Sequence, residues 1–410
     1  MTTSANAVKK EQTTQSFDLA KGLIQEFNRF SRFSYVREAS FFDILYNKIH
    51  DHSLPMRAQV AYLLYNYIKS QCHLGSAYYD KFFLQKFPFI LEVIISIQYY
   101  HNQILDGKGG VTSAEAININ LIKANLLKEQ LYRYIEDTSE LPEFDIQRLI
   151  NTVRAIFEWV DIGQYLEEHT NTYKSINQLN IERPFQNTIY KLVDVEQIEM
   201  FVNLTISIVP NMDFRHETYL RRYYERIYLT NAALYKLSTG LMLSFTKIKA
   251  SDKKRIIDFV TYFALASQIV NDNADMIPSY YGEKTIQKKA EDAMSDLKNR
   301  NITLPLYIHI DRFPEGKMVE FLKSDNKKIE KKEEKELFHE FVTGISVFYS
   351  MAIAKNIGKK AAHILDKENL YYKQLVSKLD HIGNNRYYWY YYDYNGGSAY
   401  KCYRRQKQHN

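Results

Sequence analysis

The sequence predicts an all-α fold on three observations. Glycine (14) and proline (8) are scarce in 410 residues. Proline-free stretches run over 89–141, 211–277 and 315–410, which leaves room for helices that no pyrrolidine ring interrupts. From Phe17 onward, apolar residues recur at helical spacing. The length admits one large helical domain with a deep core, or two ordinary ones, and one is the simpler reading.

The elements follow in chain order. Residues 1–16 are polar, with Lys9 and Lys10 among Ser, Thr, Asn and Gln, and read as a disordered tail. The helical domain is expected over 17–400. Leu23, Ile24, Phe27 and Phe30 give its first apolar face, and Val60, Leu63, Leu64 and Tyr67 the next. A strongly apolar helix over 89–105 stops at Gly107-Lys108-Gly109-Gly110 and sets Asn102 and Asp106 at i, i+4 on one face. Further helices are expected over 114–135, 144–167 and 193–209. The span 213–247 carries Arg215, Arg221, Arg222 and Arg226 before an apolar half, and 253–275 ends in Asn271-Asp272-Asn273-Ala274-Asp275. Residues of about 280–336 form a charged insertion. Its run from Lys327 to Glu336 alternates in sign and reads as a solvated helix face or loop. A last helix over 337–357 continues to 379. The aromatic stretch Arg386-Tyr387-Tyr388-Trp389-Tyr390-Tyr391-Tyr392 and a basic tail over 401–410 follow.

Composition excludes several classes. The net charge of +6, with both signs interspersed, gives no nucleic-acid footprint. The apolar run 341–354 is broken by Thr343, Ser346 and Ser350 and is shorter than the roughly 20 residues of a membrane span. No signal-peptide pattern opens the chain, and Cys72 and Cys402 are too few and too far apart for a disulfide framework; a cytoplasmic protein is expected. The 34 tyrosines and 23 phenylalanines supply aromatic faces that stabilise cations.

Carboxylates at the end of a greasy helix need a partner, because a buried unpaired charge is costly. Residues 271 and 275 stack at i, i+4, and 272 and 275 neighbour at i, i+3, so Asn271, Asp272 and Asp275 converge. Oxygen donors of this kind suit Mg²⁺ beside phosphate oxygens. The same pentapeptide also reads as a plain helix end capped before Pro278. The longer run decides between them. Gln268-Ile269-Val270-Asn271-Asp272-Asn273-Ala274-Asp275, then Lys284, then Asp296-Leu297-Lys298-Asn299-Arg300-Asn301-Ile302-Thr303-Leu304-Pro305, resembles the second aspartate-rich motif of the trans-prenyl diphosphate synthase family.

That resemblance implies a single large helical bundle of the isoprenoid synthase type around a central cavity. It also implies that Asn271, Asp272 and Asp275 hold two or three Mg²⁺ ions on a substrate diphosphate, which Lys284 contacts. Asn271 replaces the family's first aspartate and Asn301 its lysine. The family's first metal motif would fall at Asp106, with Gly107 and Gly110 in place of its later carboxylates, so Asn102 or Gln103 would have to supplement it. The isopentenyl diphosphate site, a Gly-Gly-Lys-x-x-Arg stretch and a double arginine, is missing; Arg57 is the nearest substitute. Two features are similar to class I terpene synthases, which share the fold and use one substrate. Arg226, with Arg222 one turn before it, stands where an arginine senses diphosphate, and Arg386-Tyr387 matches an Arg-Tyr pair that binds diphosphate as the site closes.

The function expected first is therefore a Mg²⁺-dependent terpene synthase that ionises an allylic prenyl diphosphate. Fixed cations would meet the charge developing on diphosphate, and Tyr99, Tyr100, Tyr235, Tyr262 and Phe263, which flank the motifs, are candidates for an aromatic wall around the carbocation. The alternatives are a prenyltransferase, acting in chain elongation or on a peptide or small-molecule acceptor, a non-catalytic homologue of the same fold, and a plain helical interaction module. The resemblance leaves a homodimer open. Asp272→Ala and Asp275→Ala are expected to abolish diphosphate release with helical content intact.

Overall fold

The structure, a computed structural model, describes residues 17–33, 39–50, 54–71, 77–170, 172–176, 185–279, 293–324 and 329–383. Every regular element among them is a helix, and the one β contact is an isolated bridge between Thr172 and Asn301, so the all-α class holds. The tail 1–16, Lys284, the stretch 386–392 and the tail 401–410 lie outside the described residues. The chain divides into two compact units, one of residues 1–155, 237–253 and 366–378 and the other of 156–236, 254–365 and 379–410.

In the first unit the helix 17–30 turns Leu23, Phe27 and Phe30 inward, while Ile24 faces solvent. Met56–Gln71 buries Val60, Leu63, Leu64 and Tyr67. The apolar helix spans Phe87–Asp106 and is buried on nearly all sides along its first half. Residues 79–106 are long and apolar enough to cross a bilayer, but 83% of their most apolar window lies inside the fold, as in a core helix. Gly107 ends this helix in the left-handed region, at φ 62°. Ser113 then caps Ala114–Glu136 by accepting from the Ala116 N–H. Phe30, Phe89 and Tyr134 meet edge to face. Beneath them the buried Lys86 ammonium donates to Glu140 (3.0 Å) and Thr138 (3.1 Å), and Arg29 reaches Glu140 from the other side at 3.2 Å.

In the second unit, the predicted helix over 213–247 begins as Glu217–Ile227 and passes through a π-helical turn, Tyr228–Ala232. The aspartate-bearing helix spans Ala250–Asp275. Within the stretch read as a charged insertion, Leu304–Arg312 and Lys317–Lys323 bury Leu306, Ile308, Met318 and Phe321. The charged run forms the start of Lys331–Thr343, closed by a capping box between Glu330 and Glu333; Glu334 departs from the solvated reading by being buried.

The last long helix is broken where the sequence predicts continuity. Lys331–Thr343 and Ser346–Ile364 meet at 58°, and Ile345 sits at φ 57°. A Cβ on Gly344 would lie 2.6 Å from Phe313 Cε2 and 3.0 Å from His309 Cε1, so only glycine permits this close pass. The helix ends at Ile364 and does not run on to 379. Buried His309 fastens the corner, with Nε2 3.0 Å from Glu340 and Nδ1 3.3 Å from the Ser346 hydroxyl.

Candidate active site

Asn271 to Asp275 form the last turn of Ala250–Asp275, and the turn is split by orientation. Asp272 is 1% exposed and Asn273 is fully buried, whereas Asn271 is exposed and Asp275 half-buried. Asn273 accepts a hydrogen bond from Ser350 on Ser346–Ile364, which fixes the turn. The Asp272 carboxylate accepts from the Tyr223 hydroxyl at 2.6 Å and from the Gln268 amide at 2.7 Å. One Arg226 nitrogen, Nη2, stands 3.9 Å from the same carboxylate, and its Nη1 donates to Glu167 in an ion pair. Arg226 is 3% exposed, and its Nε and Nη2 have no hydrogen-bond partner among the described residues.

Helical spacing explains half of this cluster. Tyr219, Tyr223 and Arg226 recur at i, i+4 and i+7 on Glu217–Ile227 and so share a face. Arg226 lies under the Tyr223 ring, 5.3 Å from its centroid, and Tyr219 stacks on Tyr307 at 3.6 Å. The other half depends on Gly163, where the helix Glu143–Thr170 meets the π-helical turn. A Cβ there would fall 2.7 Å from Thr230 Cγ2 and 3.0 Å from Leu229 Cβ. Glu167 is one turn after Gly163 and Arg226 one turn before Thr230, so the close pass delivers the carboxylate to the guanidinium.

Burial sets the electrostatics. It pushes the Asp272 carboxyl above the usual aspartate range, although Arg226, Tyr223 and Gln268 favour the anion. For Arg226 burial disfavours the charge, but Glu167 and Asp272 overcome it and hold the guanidinium ionised. The Tyr223 hydroxyl is pushed far up by burial and then by the Asp272 carboxylate, so it stays a donor.

Of the residues expected from the sequence, the structure brings Arg226 against Asp272, and Asn271, Asp272 and Asp275 share one turn. Arg222 is buried on the same helix as Arg226. Asp106 lies in the first unit, at the end of Phe87–Asp106, ion-paired with Lys108 at 2.7 Å; Asn102 is exposed and Gln103 accepts from Asn120. Lys284, Arg386 and Tyr387 lie outside the described residues. Among the wall candidates, Phe263 is buried and meets Tyr235 edge to face, Tyr100 is buried with its hydroxyl on Asp43, and Tyr99 is half exposed. Glu167 and Tyr223 were not foreseen. The Tyr219, Tyr223, Arg226 spacing could have found Tyr223, but no local pattern points to Glu167.

Among the described residues no three His, Cys, Asp or Glu side chains form a metal cage. Asp272 faces inward with both oxygens hydrogen-bonded, which leaves Asn271 and Asp275 on the accessible side. One carboxylate and one amide oxygen suit Mg²⁺ only in company with phosphate oxygens and water, the way this ion is commonly bound. The residues fit a metal that arrives with its substrate.

The polyprenyl synthetase family model matches residues 150–340. Among solved structures, the chain is similar to a polyprenyl synthase from Caulobacter crescentus, at 15% identity and a TM-score of 0.62, over 91% of this chain and 98% of that one. A geranylgeranyl pyrophosphate synthetase from Pyrococcus horikoshii also matches at 15% identity and 0.62, over 92% and 100%. A geranylgeranyl pyrophosphate synthase from Corynebacterium glutamicum, complexed with isoprenyl diphosphate and magnesium, matches at 10% identity and 0.61, over 91% and 98%. No curated protein matches the sequence. These structures share the fold, and all three are named for prenyl chain synthesis, none for terpene cyclisation.

Proposed function

We propose, from the premise that residues 150–340 belong to the polyprenyl synthetase family on the class I isoprenoid synthase fold, that this chain is a prenyltransferase acting on an allylic prenyl diphosphate. The observation that carries the reading is the Arg226 guanidinium, buried and held charged by Glu167 and Asp272 with two nitrogens unspent, next to the turn that ends in Asp275. Such a group meets the negative charge that develops on diphosphate as the carbon–oxygen bond breaks.

In this reading the bond electrons leave with diphosphate, and the allylic cation bonds to an acceptor that gives up a proton to the departing diphosphate or to water. Arg226 donates to diphosphate oxygens, and Asp272, Glu167 and Tyr223 position Arg226. Asn271 and Asp275 would hold Mg²⁺, which when bound neutralises the leaving diphosphate. Arg222, Lys284 and Arg386 are proposed as further cations on the diphosphate, Tyr387 as a hydroxyl donor, and Asp106 as the carboxylate of the first metal motif. Release without an acceptor, the terpene synthase reading, has less support, since it rested on Arg226 and on Arg386-Tyr387 while the similar structures are prenyl chain synthases. A peptide or small-molecule acceptor is the second reading, favoured by the missing Gly-Gly-Lys-x-x-Arg stretch.

Incubating the full chain with C10 to C25 prenyl diphosphates and Mg²⁺, with and without isopentenyl diphosphate, tests this. Diphosphate release that stops on adding EDTA, with the thermal midpoint unchanged, is expected. No release from any substrate under any condition sinks the proposal.

A further inference from the structure

The second unit holds a solvent-facing cleft of about 600 Å³ between the middle of Ala250–Asp275 and the end of Ser346–Ile364, with Met200 at its floor. Ten residues separate Tyr262 in this cleft from Asp272, roughly 15 Å along the helix axis at 1.5 Å per residue, so the cleft is distinct from the candidate active site. Its walls are lopsided in charge. Arg255 comes from one side and Lys359, Lys360 and His363 from the other. The one acid, Asp258, accepts from Gln197 at 2.5 Å and pairs with Lys254 at 3.3 Å, so its charge is already met. Arg255 is braced by donating Nε to the Ile364 carbonyl at 2.9 Å.

The floor is amphipathic. The Tyr262 ring packs edge to face on Phe201, 5.1 Å between centroids, and among the described residues its hydroxyl reaches the Met200 thioether alone, at 3.7 Å. A thioether is a weak acceptor, and burial, followed by Asp258, raises the tyrosine to about 12 and keeps it a donor. Cations on a rim, an underused hydroxyl and an apolar floor together fit a phosphate group with an organic tail. The volume is that of a small ligand rather than a folded partner.

We propose that this cleft is an accessory site for a phosphorylated amphiphile, its phosphate on Arg255, Lys359 and Lys360 and its apolar part on Tyr262, Met200 and Ile364. The site stands independently of the proposed transferase activity. The phosphate could come from a free ester or from a lipid headgroup.

Titration calorimetry of the full chain in EDTA, with inorganic diphosphate and with farnesyl monophosphate, tests the site. Both probes are expected to bind saturably. Lys359→Ala combined with Lys360→Ala, at two exposed positions, should weaken both by about tenfold or more. Tyr262→Ala should weaken farnesyl monophosphate more than inorganic diphosphate. Co-sedimentation with phosphatidylglycerol vesicles that the double variant loses would assign the phosphate to a lipid headgroup at the same site. No binding of any probe, or equal binding by the double variant, would overturn the proposal.

Discussion

Asp272 and Asp275 lie three residues apart in one turn, yet their environments call for different roles. Asp272 is inside, shared by Tyr223, Gln268 and Arg226, and its removal leaves Arg226 buried against Glu167 alone. Breaking a buried pair in this way costs about 3–5 kcal/mol, whereas truncation at a half-buried position such as Asp275 costs about 1 kcal/mol. Asp272→Ala should therefore lose diphosphate release and also unfold at a markedly lower temperature, while Asp275→Ala should lose release with a clearly smaller drop in its thermal midpoint. Equal midpoints for the two would remove Asp272 from the positioning role. This amends the sequence expectation, which had both variants spare the fold. The helical repeat shows that positions 271, 272 and 275 share a turn, but not which of them faces inward.

At the scale of elements, the site depends on how closely two helices pass. Alanine at position 163 gains about 1 kcal/mol in helix propensity, but its Cβ would sit 2.7 Å from Thr230, and overpacking of this kind costs about 1–3 kcal/mol. The clash wins or breaks even, and the helices must part where Glu167 meets Arg226. Gly163→Ala is expected to bind prenyl diphosphate more weakly, seen as a raised KM, with a thermal midpoint equal to or below that of the parent. An unchanged KM would mean that the close pass does not position Arg226. Sequence patterning located several of the long helices, because the breaker at Gly107 and the apolar spacing around Leu23 and Phe27 act locally. It missed the break at Gly344, where the backbone passes close to a ring more than thirty residues away in sequence, and the burial of Glu334, which accepts from the Ser279 N–H and hydroxyl.

For the whole molecule, pH reports which buried charges are held by partners. In the first unit burial alone would raise Glu140, but Lys86 and Arg29 bring it down to about 2. A carboxyl lowered in the folded state contributes stability that is present above its unfolded value and lost as pH falls towards the folded one. The thermal midpoint should thus drop between about pH 4.3, the unfolded glutamate value, and about 2. Glu140→Gln should start lower at neutral pH and flatten that drop; a parallel profile would show the carboxylate to be unpaired. Asp272 runs the other way. Its raised value means stability present below the ordinary aspartate range and lost as pH climbs through the folded value. By itself the sequence determined the helical class, the extents of long helices such as those over 89–105, 114–135 and 193–209, and the turn that carries Asn271, Asp272 and Asp275, because scarce Gly and Pro and the 3.6-residue repeat are properties of neighbours along the chain. Only the tertiary structure decided that Asp272 faces inward, that Glu167 meets Arg226 and that a basic cleft opens beside Tyr262. Those depend on groups far apart in sequence, brought together by packing that no local pattern encodes.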